Sequence, residues 1–213
     1  MKILKTLTVP AAFLALSLPI YAQAGSPQGP YASHDVADNS AGAEEAHHMV
    51  PARGALLQTL DTRKDSTGQE FRVKLAGKVK LDNGPELPSG TILVGKIVAD
   101  DMQIDGISKL ALRLTQADLK NGTVVPIKAT IVEFASPRST GPDGNPAMAG
   151  NQIPNNWNDG TLQVEQIDAT ANVDLHSKIA SANSGVFVST KKDDVKLTVG
   201  SEFALAIAKS EAE

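Results

Sequence analysis

From Phe71 to Leu81 the chain alternates. Phe71, Val73, Leu75, Gly77, Val79 and Leu81 share one parity, and Arg72, Lys74, Ala76, Lys78 and Lys80 share the other. Successive side chains of an extended strand point to opposite faces, so a period of two sustained this long predicts one long strand with one buried face. Such a face needs a second layer, or a sheet closed on itself, to cover it. Gly77 falls among the inward residues and predicts a bend or bulge of the kind barrel strands use.

The rest of the chain repeats this grammar. Pro88-Ser89-Gly90 forms a turn that feeds Thr91 to Ala99, a β-branched run without clean alternation, expected to be central or buried on both faces. Ile107 to Thr115 sets Leu110, Leu112 and Leu114 against Lys109 and Arg113. Asn121-Gly122 is a strong hairpin signal, and Thr123 to Phe134 alternates again with Val125, Ile127, Ala129 and Ile131 inward. Further strands are expected at 54–60, 162–174, 186–189, 195–199 and 203–208. The segment 174–179 reads as a strand end or a single helical turn. Many short strands separated by Gly, Pro and Asn give an all-β fold class: a single antiparallel, partly closed β-barrel over residues 51–208. Ten side chains are expected inside it: Phe71, Val73, Leu75, Val79, Leu93, Ile127, Ile131, Leu197, Phe203 and Leu205.

The ends and one interior stretch fall outside this pattern. Lys2 and Lys5, the apolar run Val9 to Ile20, and Ala22-Gln23-Ala24 form a signal peptide over 1–24, so a periplasmic or secreted bacterial protein is expected, cleaved near Ala24. Residues 25–50 are small, polar and aperiodic and read as a disordered leader; 209–213 is a polar tail. Residues 135–158 hold Pro137, Pro142, Pro146 and Pro154 among glycines and end near Trp157, the one tryptophan. This is a long loop or insertion, and Trp157 either anchors it to the barrel or presents a binding surface. The chain has no cysteine, so an ordinary apolar core must hold it together.

Composition narrows the function. The formal charge is −4, from 20 basic and 24 acidic residues, and becomes −6 once Lys2 and Lys5 leave with the signal peptide. An acidic chain with 4% aromatic residues has neither the charge nor the stacking platforms of a nucleic-acid binder, and no nucleic acid is expected as a partner. The His47-His48 pair lies in the leader with no fixed geometry, and no metal site or cofactor is expected. Asp101-x-Gln103-x-Asp105-Gly106 opens like a calcium loop, but the position that needs a bidentate carboxylate is Leu112, so a polar hairpin loop is expected. Ser189-x-x-Lys192 matches a serine nucleophile pair without its companion motifs. His176 is the one histidine of the folded region, and a hydrolase built on it is the least favoured of three readings. No catalytic residue is assigned, and the chain is read as a non-enzyme.

The residues Gly54, Leu60-Asp61-Thr62, Gly68, the alternating strand, and Leu87-Pro88-Ser89-Gly90-Thr91-x-Leu93-x-Gly95 resemble the TrbI-like periplasmic β-barrel family of bacterial conjugation and type IV secretion channels. Ile107 to Thr115 with Asn121-Gly122, and Val199-Gly200-Ser201-Glu202-Phe203, fit later parts of that pattern. The resemblance implies a barrel in an envelope setting. Members of the family also carry a transmembrane helix and a helical hairpin that caps an outer-membrane channel. Here a cleavable leader stands in place of the helix, and no hairpin is legible in 135–174, so a channel is not implied.

The leading expectation is an exported envelope protein with a structural or scaffolding role, its narrower form being an accessory of a secretion or envelope complex. The alternative is a periplasmic binding module holding a small apolar or glycan ligand in the barrel mouth under the 135–158 loop. Candidate contact residues are Arg72, Lys74, Lys78 and Lys80, a basic stripe along one strand, together with Trp157. The stripe reads either as a contact for an anionic surface or as a solvated face; other envelope proteins are the second class of partner.

Overall fold

The computed structural model describes residues 48–137, 163–191 and 194–210. Among them the chain forms strands and no helix: β1 (Val50–Leu56), β2 (Leu60–Asp61), β3 (Glu70–Leu75), β4 (Val79–Lys80), β5 (Glu86–Leu87), β6 (Ile92–Val98), β7 (Ser108–Asp118), β8 (Val124–Ala135), β9 (Gln163–Thr170), β10 (Val173–Lys178), β11 (Gly185–Ser189), β12 (Lys196–Leu197) and β13 (Glu202–Lys209). Six of them close on themselves in the order β6-β3-β1-β13-β8-β7, with β7 pairing back to β6, all antiparallel. Closure removes the open edges that an antiparallel sheet of this size would otherwise present.

All ten side chains expected inside are buried. They belong to one continuous apolar cluster that fills the barrel, together with Leu56, Ile97, Leu112, Leu114 and Ile207. Both ends are covered. At one end β2 pairs with β12, and Thr62 extends the pair through Val195, so that Leu60, Val195 and Leu197 sit fully buried over the opening. At the other, the β4–β5 pair lays Val79, Leu81 and Leu87 across the interior. Burying a leucine side chain fully contributes about 1.5–3 kcal/mol, so each cover is a substantial part of the core.

The alternating stretch is two strands rather than one. β3 keeps strict alternation of exposed and buried residues, then the chain bends at Ala76–Lys78 and restarts as β4 in a different sheet. Gly77, expected inward, is exposed at this bend, where a side chain would meet nothing. Parity survives the break because the bend takes three residues, which returns Val79 and Leu81 to the buried side. The curvature expected of Gly77 is supplied elsewhere. Thr115 is an extra residue in β7 opposite β6, and Val132 is an extra residue in β8 opposite β13. Gly95 is required by close approach: a Cβ there would lie 2.5 Å from the Arg113 carbonyl oxygen and 2.6 Å from the Phe71 ring, its cross-strand neighbour.

The remaining strands branch from β7. That strand pairs with β8 only at Gln116–Asp118 and then parts from it, and β11 takes the vacated edge from Leu112 to Ser108. Ser184 occupies the fork. Its N–H donates to the Leu112 carbonyl (2.7 Å), its Oγ accepts from the Leu114 N–H (2.9 Å), and its carbonyl accepts from the Ile131 N–H (2.7 Å). β10 and β9 follow β11, and 174–179 is largely strand, since β10 runs to Lys178. This β9–β11 flap folds against the outside of β8. Gln166 replaces a missing strand there: its Oε1 accepts from the Phe134 N–H (2.9 Å) and its Nε2 donates to the Phe134 carbonyl (3.0 Å). Phe134, Phe187 and Phe203 join flap to barrel with ring centroids 5.0–6.2 Å apart. The first strand begins at Val50, and the adjacent Met49 is buried with Val132 and Ala206, so ordered packing reaches slightly into the stretch assigned to the leader.

Candidate functional site

With the interior filled, the groups free to meet a partner lie outside the barrel. On the outer face of β3 the exposed residues are Glu70, Arg72 and Lys74. The register carries them across β6 and β7 in three rows: Glu70–Lys96–Arg113, Arg72–Val94–Gln116 and Lys74–Ile92–Asp118. Directly opposed side chains stand about 5 Å apart at Cβ, so each row is a set of neighbours. Lys120, from the β7–β8 hairpin, reaches the same face. A Cβ on Gly90 would sit 3.4 Å from the Lys120 Nζ and 3.6 Å from the Lys74 Cε, so the two side chains converge over that turn. The turn depends on Gly90, whose φ of +81° favours glycine.

Five cations therefore share this face: Arg72, Lys74, Lys96, Arg113 and Lys120. Two carboxylates temper them. Glu70 is drawn to Arg72 (2.8 Å), and Asp118 accepts from the Gln116 amide (3.1 Å). Lys78 and Lys80, expected to continue the stripe, do not join it. Lys78 lies in the bend and Lys80 on β4, where Lys80 pairs in register with Glu86 and Lys78 comes within 3.9 Å of the Glu86 carboxylate. Sequence reasoning followed one strand and missed Lys96 and Arg113, which register brings to it, and Lys120, which the β7–β8 hairpin brings over the Gly90 turn. Trp157 lies outside the described residues, as do residues 1–24, where a signal peptide is expected, and most of the 135–158 segment.

A cleft of about 370 Å³ opens at the edge of this face, lined by Thr67, Gly68, Lys96, Val98, Asp100 and Arg113 among others. A second, of about 410 Å³, lies between the loop after β6 and the β9–β10 hairpin, with Met102, Ile104, Glu165, His176, Lys178 and Ser181 in its walls. His176 is half-buried on β10, opposite Glu165 and Val186. The two serines that line this cleft with it have their hydroxyls committed elsewhere: Ser177 Oγ donates to the Ile131 carbonyl, and Ser181 Oγ donates to Asp101 Oδ1 (2.8 Å). Ser189 is fully buried in β11, and Lys192 lies outside the described residues. Among the described residues no three His, Cys, Asp or Glu side chains cluster as a metal site would need.

The calcium-like loop is held by its own backbone. Asp100 accepts from the N–H groups of Met102, Gln103 and Ile104 at 2.9–3.0 Å and from Lys109 Nζ at 3.2 Å. Asp101 accepts from Ser181 and the Ala182 N–H, while Asn183 receives the Asp101 N–H. These carboxylates fix the loop against the flap.

No protein-family model matches the chain, and no curated protein matches it.

Proposed function

We propose that this is an exported, non-enzymatic envelope protein with a scaffolding role, attached through the basic outer face of β3, β6 and β7 to an anionic surface. The observation that carries this reading is the barrel itself. Its interior is filled with side chains and both ends are covered, so recognition falls to the outside. The outer face of β3, β6 and β7 gathers five cations against two carboxylates although the whole chain is acidic, and local charge governs encounter with a charged surface. The sequence resemblance to TrbI-like barrels supports a place beside a secretion or envelope complex, and the leader supports export.

The test uses the full chain expressed with its leader in a bacterial host. Fractionation should recover a mature form beginning near Gly25 outside the cytoplasm. Photo-crosslinkers placed at Arg72 and Lys74 should capture an envelope component, and the same groups at Lys78 and Lys80 should capture far less. Retention in the cytoplasm, or equal capture from both pairs, would sink the reading. A small molecule co-purifying with the barrel would favour the binding-module alternative.

A further inference from the structure

The cleft at the edge of the basic face has the chemistry of a single-phosphate site. We infer that Lys96 and Arg113 together bind one phosphate group there. This rests on the basic-face reading above and names the group that face takes. Lys96 and Arg113 are cross-strand partners on β6 and β7, and both line the cleft. Arg113 is half-buried, and its Nε donates to the Ala182 carbonyl at 2.9 Å. That bond fixes the plane of the guanidinium and leaves both terminal nitrogens to donate. Paired parallel donors of this kind match two oxygens of a phosphate.

Two carboxylates, Asp100 and Asp101, line the same cleft, and the hydrogen bonds of both go to groups other than Lys96 and Arg113. Glu70, the other neighbour of Lys96, pairs with Arg72. Asp100 is held by three backbone N–H groups and Lys109, and Asp101 by Ser181 and the Ala182 N–H. Among the described residues neither Lys96 nor Arg113 has a carboxylate partner. Thr67 lies on the same lining, while Ile97, Val98 and Ala99 give an apolar wall. A charged hydrogen bond beside apolar wall is less diluted by water than one on an open surface.

Two sources could present this group, a phospholipid headgroup or free phosphate. The experiment titrates the full-length protein, labelled with nitrogen-15, first with inorganic phosphate and then with vesicles of phosphatidylglycerol, using phosphatidylcholine vesicles as control. Saturable shifts are expected at the Gly68 and Val98 amides and at the Arg113 Nε–H. Arg113→Lys should weaken binding about tenfold, because a point charge does not replace a fixed fork. Lys96→Ala, which leaves the Ala182 bond in place, should weaken it several-fold. Saturation by phosphate alone identifies the free ion. Binding only to phosphatidylglycerol, with the same dependence on Arg113, identifies the headgroup. Absence of both, or binding unchanged in both variants, overturns the site. Vesicle binding that survives these variants and disappears in R72E/K74E would overturn the phosphate site and leave the basic face standing. Loss of vesicle binding in neither set would end the basic-face reading.

Discussion

Two outer faces of the same barrel have opposite fates. On β3, β6 and β7 the face is basic and mostly open. On the far halves of β8 and β13 it is apolar and covered: Val132, Ala206 and Ala208 are buried beneath Ile179 and Val164 of the flap. The strands record the difference. β3 alternates strictly, whereas β8 runs buried for four residues from Ala129 to Val132, and β13 for four from Leu205 to Ala208. A strand covered on both sides loses its period of two and reads as a continuous apolar run. On β8 and β13, then, loss of alternation marks where the flap lies, while on β3 its persistence marks a face left open.

The sharpest way to break that contrast is to cut the joint between flap and barrel. Phe134 packs its ring against Phe187 of the flap and Phe203 of the barrel. Phe134→Ala should cost about 3–5 kcal/mol, the range for a buried aromatic replaced by alanine. Urea unfolding would measure it. A loss under 1 kcal/mol would mean that the flap is not part of the cooperative core.

On the open side the largest effect comes from a single added carbon. Gly95→Ala places a Cβ against the Arg113 carbonyl oxygen, and backbone cannot yield as a side chain tip does. Overpacking of this kind costs about 1–3 kcal/mol. Thermal unfolding should show the loss, and Gly77→Ala, at an exposed position with open space, should show little. Equal effects at both glycines would mean that barrel curvature is not set where the register shifts.

Gln166→Ala tests the covered side more gently. It removes both bonds to the Phe134 backbone and leaves that N–H facing the flap without its partner. The expected cost is about 1–2 kcal/mol, in the range for a buried backbone group left unpaired. Amide exchange at Phe134 should accelerate while exchange at Val73, inside the open-faced half, stays unchanged.

Much of the barrel was legible because it is written in local parity. Phe71, Val73 and Leu75 alternate with Arg72 and Lys74, and Asn121-Gly122 folds as the hairpin turn it announces, with Gly122 at φ +84°. The break at Ala76–Lys78 was not legible, because a three-residue bend preserves parity and leaves no mark in the pattern. The fork at Ser184 was hidden for a different reason. Nothing local distinguishes a serine whose three polar groups bridge β7 and β8 from a serine in a turn. The basic face was half legible. Arg72 and Lys74 declare themselves along one strand, but Lys96 and Arg113 join them only through register between strands, and Lys78 and Lys80 depart with the hairpin that carries Glu86.

The smallest expected effect on stability bears most directly on function. R72E/K74E and K78E/K80E each reverse two exposed charges on strands read together from the sequence. Neither should change unfolding by more than about 0.5 kcal/mol, since surface substitutions away from packed features stay in that range. Their effects on association should differ. Arg72 and Lys74 add to Lys96, Arg113 and Lys120 on one face, whereas Lys78 and Lys80 already sit against Glu86. Co-sedimentation with phosphatidylglycerol vesicles should fall sharply for the first pair and little for the second. It should also weaken as salt rises for the native chain, because exposed charges are screened over about 8 Å at physiological ionic strength. Equal losses from both pairs would mean that overall charge matters and the cross-strand face does not. If R72E/K74E unfolds the protein, the face is a structural contact and the partner must be sought elsewhere.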